Sequence, residues 1–165
     1  MSKTKTVYIA MSADILHNGH LNIIKEGAKL GKVIIGVLTD DAIVSYKRLP
    51  FLEYSLRSTI IENIKGVHKV IPQTKLDYTD NLMLVKPDYV LHGDDWKNGI
   101  QKTVRQKVIE IISAWNGRVI DIPYTVGISS TKLNKQIKSL GTTPDIRLSL
   151  LRRLIDSKPL IKFIE

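Results

Sequence analysis

The chain has 165 residues and no cysteine, and its 25 lysines and arginines outnumber 16 acidic residues for a formal net charge of +9. That length suits one domain with a real buried core, and the missing cysteines exclude a disulfide scaffold and agree with a reducing cytoplasm, the expected compartment. No apolar run reaches the length of a membrane span and no signal core follows residues 1–5; the basic residues are scattered rather than striped, which fits a solvated surface or a polyanionic small ligand and not specific nucleic-acid binding.

Residues 7–11, Val-Tyr-Ile-Ala-Met, read as a buried strand ending at the small residues Ser12 and Ala13. Asp14-Ile15-Leu16-His17-Asn18-Gly19-His20 then opens an amphipathic helix whose apolar face is expected at Leu21, Ile24, Ala28 and Leu30. His17 and His20 thus stand three residues apart at a helix mouth, with Gly19 letting the backbone approach a ligand. A helix N-terminus offers unpaired N–H groups and partial positive charge, and imidazoles there can donate hydrogen bonds to a phosphate whose charge grows during reaction. Two other readings stay open at this point. The histidines are a surface pair beside a turn, or they belong to a zinc site, against which the distant positions of His68 and His92 and the lack of cysteine argue.

A second buried strand covers 33–38 and ends in Thr39-Asp40-Asp41, which cap a short helix to about Ser45. Lys47-Arg48-Leu49-Pro50 is a basic loop that Pro50 keeps out of a helix. A helix from about Glu53 has Leu56, Ile60, Ile61 and Ile64 as its apolar residues and stops at Gly66. The strand over 67–71 is closed by Pro72, a loop covers 73–77, and Thr79 or Asp80 caps a short helix that ends at Lys86-Pro87. The strand over 89–92 runs into Gly93-Asp94-Asp95-Trp96. A long helix over about 101–115 turns Val104, Val108, Ile111 and Ile112 inward and is capped by Asn116-Gly117. After a strand over 119–122 come Pro123-Tyr124-Thr125-Val126-Gly127-Ile128 and a polar helix start at Ser129-Ser130-Thr131-Lys132.

Five alternations of strand and helix, with connections too long for hairpins, predict an α/β chain with an open parallel sheet and helices on both faces. Ligands of such sheets bind beyond the carboxyl ends of the strands, where His17, Lys47, Asp94 and Ser130 should gather. Asp94 and Asp95 are either metal ligands or turn residues, Trp96 and Tyr78 either stack on a ligand or pack, and Lys47 either binds anions or is a solvated loop lysine. Within residues 142–165 the sequence reads as a basic amphipathic helix over 146–155 and, from Pro159, a second apolar pattern that stops at Glu165 without a cap. The expected division is therefore a domain over 1–141 and a helical linker over 142–165.

Three blocks, His17-x-Gly19-His20, Gly93-Asp94-Asp95-Trp96 and Gly127-Ile128-Ser129-Ser130-Thr131-Lys132, resemble in order and spacing the cytidylyltransferase branch of the nucleotidylyltransferase superfamily, of the glycerol-3-phosphate cytidylyltransferase type. The resemblance spans about residues 7–140 and implies a Rossmann-like nucleotidylyltransferase fold with a five-stranded parallel sheet. It implies transfer of CMP from CTP with release of pyrophosphate, with Mg²⁺ carried in on the triphosphate and no metal site of the protein's own. By the same resemblance His17 and His20 hold nucleotide phosphates and stabilise the pentavalent transition state, Ser12 and Ala13, with Asp14, occupy the strand-end turn that touches the α-phosphate and ribose, and Gly19 is a nucleotide-binding position. Gly93, Asp94, Asp95 and Trp96 lie near the cytosine and ribose. Tyr124, Gly127 and Ile128 precede a helix start, Ser129, Ser130, Thr131 and Lys132, that binds the β- and γ-phosphates. Lys47 or Arg48 clamps phosphates between the two substrates, with Arg57 nearby. The chain departs from that type where Tyr124-Thr125-Val126 replaces Arg-Thr-Glu and Ala13 replaces phenylalanine.

A closer resemblance is to the N-terminal cytidylyltransferase domain of bifunctional phosphoenolpyruvate mutases of phosphonate biosynthesis. Met11-Ser12-Ala13-Asp14, Tyr46-Lys47-Arg48-Leu49-Pro50, Leu76-Asp77-Tyr78-Thr79 and Pro123-Tyr124-Thr125-x-Gly127-Ile128-Ser129-Ser130-Thr131 carry it. Leu151-Arg152-Arg153-Leu154-Ile155-x-Ser157-Lys158-Pro159 resembles the linker and first helix of the mutase. The implied acceptor is 2-hydroxyethylphosphonate or 2-aminoethylphosphonate, met by Arg48, Arg57, Asp77 and Tyr78, in a homodimer with a fused mutase domain. Two alternatives remain: an acceptor such as glycerol 3-phosphate or another alcohol or sugar phosphate, and a non-catalytic CTP-binding domain.

Overall fold

The computed structural model describes residues 4–97, 101–123, 125 and 130–141. It divides into a unit over Met1–Gly127 and a second over Ile128–Glu165, each described by itself. In the first unit the elements run β1 (Thr6–Met11), α1 (Asn18–Leu30), β2 (Lys32–Leu38), α2 (Asp40–Val44), α3 (Tyr54–Glu62), β3 (Val67–Gln73), α4 (Thr79–Val85), β4 (Tyr89–Gly93), a 3-10 turn (Asp94–Lys97), α5 (Gln101–Ser113) and β5 (Arg118–Ile122). The second unit contributes α6 (Ser130–Gly141). The expected linker over 142–165 lies outside the described residues, as do Tyr124, Val126, Gly127, Ile128 and Ser129.

The five strands form one parallel sheet in the order β3-β2-β1-β4-β5. The chain winds outward from β1 to β3 on one side and resumes on the other at β4, so the switch point lies between β1 and β4. Those two strands pair only at Val7↔Tyr89 and Tyr8↔Val90, then part toward their carboxyl ends. The crevice this leaves is where an open α/β sheet takes its ligand.

Side chains alternate across the central strand with the period of two that a strand imposes. Val7, Ile9 and Met11 pack with Ile23 and Ile24 of α1 and Ile61 of α3 on one face. Tyr8 and Ala10 pack with Ile43, Leu82, Val108 and Ile112 from α2, α4 and α5 on the other. Each fully buried aliphatic side chain here contributes roughly 1.5–3 kcal/mol of transfer free energy.

Three local expectations need correction. In α1 the buried residues are Ile23, Ile24 and Gly27, whereas Leu21 is 46 % exposed. The helix starts with His17 as its N-cap, and that phase turns positions 20, 23, 24 and 27 to the sheet; a Cβ on Gly27 would meet Val33, Ile9 and Val7 at 3.2–3.3 Å, so the missing side chain lets α1 lie close. In α3, Leu56 and Ile60 are 50 % and 41 % exposed while Arg57 and Ile61 face inward, and the helix ends at Glu62. β3 does not stop at Pro72 but runs through it to Gln73. It is an edge strand, where a residue without an N–H is tolerated.

A buried polar cluster fastens the loop after β3. The Tyr8 hydroxyl crosses β2 at Gly36, donates to Gln73 Oε1, and accepts from Asn81 Nδ2 at 2.9 Å. Gln73 Nε2 donates to the carbonyls of Lys75 at 2.8 Å and Asp77 at 3.0 Å. Burial raises the Tyr8 pKa, opposed in part by the Asn81 bond, so the hydroxyl remains a donor. Gly36→Ala would drive a Cβ into the Tyr8 hydroxyl, with the ring Cζ at 2.7 Å. We expect it to lower the urea unfolding free energy by about 3 kcal/mol, within the range for overpacked cores. Tyr8→Phe in the same chain should recover part of that loss; purely additive single and double variants would show that the two residues do not collide.

Candidate active site

At the end of β1 the backbone makes a sharp turn at Ala13, whose φ of 54° lies in the left-handed region. A non-glycine residue there needs its surroundings to hold it. The holder is Arg57, which is fully buried. Its Nη1 donates to the Ser12 carbonyl, its Nε to the Leu52 carbonyl at 2.8 Å, and its Nη2 to Asp40 Oδ1 at 2.6 Å. Asp40 Oδ2 in turn accepts from the Tyr54 N–H at 3.2 Å, which also starts α3. The turn after β1, the start of α2 and the start of α3 therefore meet on one guanidinium.

Asp14 does for the basic loop what Arg57 does for the turn. Its Oδ1 accepts from the N–H groups of Phe51 at 2.6 Å and Leu52 at 3.3 Å, and its Oδ2 pairs with Arg48 Nη2 at 2.7 Å. With the loop so fastened, Lys47 Nζ reaches Ser12 Oγ at 3.1 Å. Burial lowers the Lys47 pKa, Asp14 opposes this, and Arg48 and Arg57 lower it further.

The two histidines form a reciprocal cap at the mouth of α1. His17 Nδ1 accepts from the Gly19 N–H at 3.1 Å, and His20 Nδ1 accepts from the His17 N–H at 3.4 Å. The ring centroids are 4.1 Å apart, tilted by 45°. An Nδ1 that accepts a hydrogen bond carries no proton, so each neutral ring has its hydrogen on Nε2. Burial lowers the pKa of His17. For His20 burial acts first, then the charges of His17 and Lys47, bringing it down to about 4. The pair thus places two neutral imidazoles, protonated on Nε2, at a helix N-terminus, beside a lysine, at the carboxyl end of β1. An open groove of about 530 Å³ flanks this helix start, lined by Asn18, Leu21, Asn22, Lys25, Pro123 and Thr125.

The sheet brings Ser12, Ala13, Asp14, His17, Gly19, His20, Lys47 and Arg48 together at the end of β1, and carries Gly93, Asp94, Asp95 and Trp96 at the end of β4. Ser130, Thr131 and Lys132 open α6 in the second unit. Four expected ligand contacts take another part. Arg57, implied as an acceptor contact, has its guanidinium enclosed and bonded to the fold. Tyr78 is buried edge-on against Tyr8 at 6.2 Å, because it precedes α4 inside the second core. Asp77 bonds Thr79 and Lys107, an arrangement that starts α4 and tethers it to α5. Trp96 is also wholly buried, with its ring flat against His92 at 4.3 Å, so packing prevails over ligand stacking.

Asp40, read from sequence only as a helix cap, is the anion that fixes Arg57; its place at the carboxyl end of a strand was the available signal. His92, read as too remote for a zinc site, stands at the end of β4 against Trp96. Among the described residues no three histidine or carboxylate side chains converge to hold a metal ion, and no helix is long and apolar enough to cross a membrane.

Residues 11–136 match the family described as Cytidylyltransferase-like. Over 133 residues the chain is 29% identical to a glycerol-3-phosphate cytidylyltransferase of Bacillus subtilis, covering 77% of this chain and 92% of that protein. Over 140 residues it is 29% identical to an ethanolamine-phosphate cytidylyltransferase of Arabidopsis thaliana, covering 79% of this chain and 32% of that one, so it spans about a third of the plant protein. The crystal structure of a lipopolysaccharide core biosynthesis protein from Thermoplasma volcanium superposes with a TM-score of 0.62 at 24% identity, over 74% of this chain and 98% of the other, a likeness of fold.

The burial of His20 beside His17 and Lys47 predicts a pH dependence of stability. Folding lowers the His20 pKa from 6.5 to about 4, so it favours the neutral ring. The stability tied to that ring is complete above about pH 6.5 and is lost as the pH falls toward 4, where the unfolded chain binds the extra proton. In urea titrations the wild type should lose on the order of 2 kcal/mol more than His20→Asn across this window. Equal losses in the two proteins would refute the burial of a neutral His20 ring in the folded chain.

Proposed function

Starting from the fact that the chain belongs to the cytidylyltransferase-like family, we propose that it transfers CMP from CTP to a small phosphonate, 2-hydroxyethylphosphonate or 2-aminoethylphosphonate, and releases pyrophosphate. The observation that carries the transfer reading is the histidine pair. The two imidazoles stand at the N-terminus of α1, beside Lys47 and at the β1 edge of the crevice, and the proposal lays the α-phosphate of an entering triphosphate against them.

The reaction needs no covalent enzyme intermediate. A phosphonate oxygen attacks the α-phosphorus and forms the new P–O bond, while the bond to the β-phosphate oxygen breaks and pyrophosphate departs. The additional charge falls on the equatorial oxygens, where preorganised donors lower the barrier. His17 and His20 are assigned to those oxygens. Lys47, held at Ser12 by its loop, is assigned to the phosphate between the two substrates, and Arg48 to the acceptor once it exchanges Asp14 for the incoming anion. Gly127, Ile128, Ser129, Ser130, Thr131 and Lys132 are assigned to the β- and γ-phosphates on the resemblance of their block. Magnesium is proposed to enter on the triphosphate. A homodimer, a fused mutase domain and a cytoplasmic setting belong to the same proposal.

The phosphonate assignment is supported by the sequence blocks around Ser12, Lys47, Asp77 and Tyr124. With Arg57, Asp77 and Tyr78 engaged in the fold, the cations left to the acceptor are Lys47 and Arg48. Glycerol 3-phosphate is the second reading, favoured by the likeness to the Bacillus subtilis enzyme across 92% of its length.

Pyrophosphate release with CTP and each of four acceptors tests both: the two phosphonates, glycerol 3-phosphate and phosphocholine. Preference for a phosphonate is expected, and preference for glycerol 3-phosphate would replace the first reading by the second. No release with any of the four would favour a non-catalytic CTP-binding domain. His17→Ala and His20→Ala should each lower kcat about a hundredfold or more, the usual cost of losing a preorganised donor. Wild-type turnover by either variant at saturating substrates would remove that histidine from the reaction.

A further inference from the structure

Beyond the histidine cluster, a dense polar junction lies at the carboxyl ends of β4 and β5. Asp121 of β5 pairs in register with His92 of β4. Its Oδ1 accepts from Trp96 Nε1 at 2.7 Å and from Arg105 Nε at 3.2 Å. Its Oδ2 accepts from Arg105 Nη2 at 2.9 Å and pairs with Lys97 Nζ at 3.2 Å. One carboxylate therefore ties together β5, the first turns of α5 and both the third and fourth residues of the 3-10 turn.

The consequence runs through Trp96. Its ring lies against His92 with only 8° between the planes, and His92 Nδ1 is 2.9 Å from the Gly93 carbonyl oxygen, which places the ring proton on Nδ1. The indole is thus fixed by the carboxylate at its N–H and by the imidazole at its face. The backbone from Gly93 to Asp95 is held between them. Burial pushes the Asp121 carboxyl up, but the bonds from Arg105, Trp96 and Lys97 outweigh it and hold it down at about 2. It is an anion at neutral pH, and a charged acceptor grips an indole N–H more firmly than a neutral one.

We propose that Asp121, anchored by Arg105, is a positioning residue for the nucleoside end of the substrate. It sets the Trp96 indole, and through it the main chain of Gly93, Asp94 and Asp95, in the conformation that receives the ribose and base. This rests on the reading that CTP occupies the β1–β4 crevice. Its effect falls on nucleotide affinity, because the junction lies at the end of β4, whereas the reacting phosphorus is assigned to the histidines at the end of β1.

Steady-state pyrophosphate release by the full chain tests it. Asp121→Ala should raise KM for CTP about tenfold, with kcat and the KM for the acceptor within about twofold of wild type. Asp121→Asn keeps an oxygen for the indole and should return KM to within about threefold. Trp96→Phe should raise KM like Asp121→Ala, and the double variant should be no worse than the poorer single one. Arg105→Gln, at a half-buried position of α5, should raise KM about threefold, and Arg105→Lys should restore it. The Arg105 pair decides the matter if Asp121→Ala does not fold. A lowered Tm with unchanged KM for CTP in Asp121→Ala, or in Arg105→Gln, overturns the positioning role and leaves the cytidylyltransferase reading intact. A wild-type chain that neither binds CTP nor releases pyrophosphate overturns both.

Discussion

A buried guanidinium is the constraint on which the rest of the site depends. Arg57 carries its charge into a fully enclosed position, which costs several kcal/mol unless the geometry of its partners is good. Here they come from three chain segments: the Ser12 carbonyl, the Leu52 carbonyl and the Asp40 carboxylate. Removing any partner would strand a buried charge, so the three segments are compelled to meet. The strained turn at Ala13, the entry into α3 and the end of β2 are consequences of that single requirement.

What the strut holds in place is a set of short reaches. Ala13 can keep its left-handed conformation only because the carbonyl before it is gripped. Asp14 then faces the basic loop and captures its N–H groups, and this brings Lys47 to Ser12. Lysine on an unrestrained loop would sample many positions and give up side-chain entropy on binding an anion; here much of that loss is already taken in folding. The histidines follow the same logic from the other side. Each spends its Nδ1 on the helix mouth, and that bond decides which nitrogen carries the hydrogen.

The two ends of the crevice are built differently. The β1 end is held by a buried cation and presents neutral imidazoles beside one lysine, a combination that offers several donors without crowding charges together before an anion arrives. The β4 end is held by a half-buried anion, Asp121, whose partners are the Trp96 indole, Arg105 and Lys97. Both devices set main-chain geometry from a distance, and both use charge where an apolar contact would have left rotation free.

Much of this was legible in one dimension. Buried parallel strands are continuous apolar runs, so residues 7–11 and 33–38 announced themselves, and helix-period stretches between them required a parallel sheet with its site at the carboxyl edge. His17, Gly19 and His20 stood at a helix mouth by spacing alone. Where the strands sit beside one another was not legible, since nothing local in Val7–Met11 says that it lies between β2 and β4. Nor was the direction of Arg57: periodicity assigned the inward face of α3 to Leu56 and Ile60, and the structure turned them out because a buried arginine with three partners outweighed two aliphatic contacts. Trp96 and Tyr78 read as ligand contacts for the same reason, as aromatic residues near a turn look alike until their neighbours are known. Sequence by itself determined the elements, their order and the chemistry at the helix mouth, because those follow from contacts a few residues apart. Only the tertiary structure decided which polar side chains serve the ligand and which serve the fold, because Arg57, Asp40, Asp121 and Trp96 each take a partner at least 17 positions away in the chain.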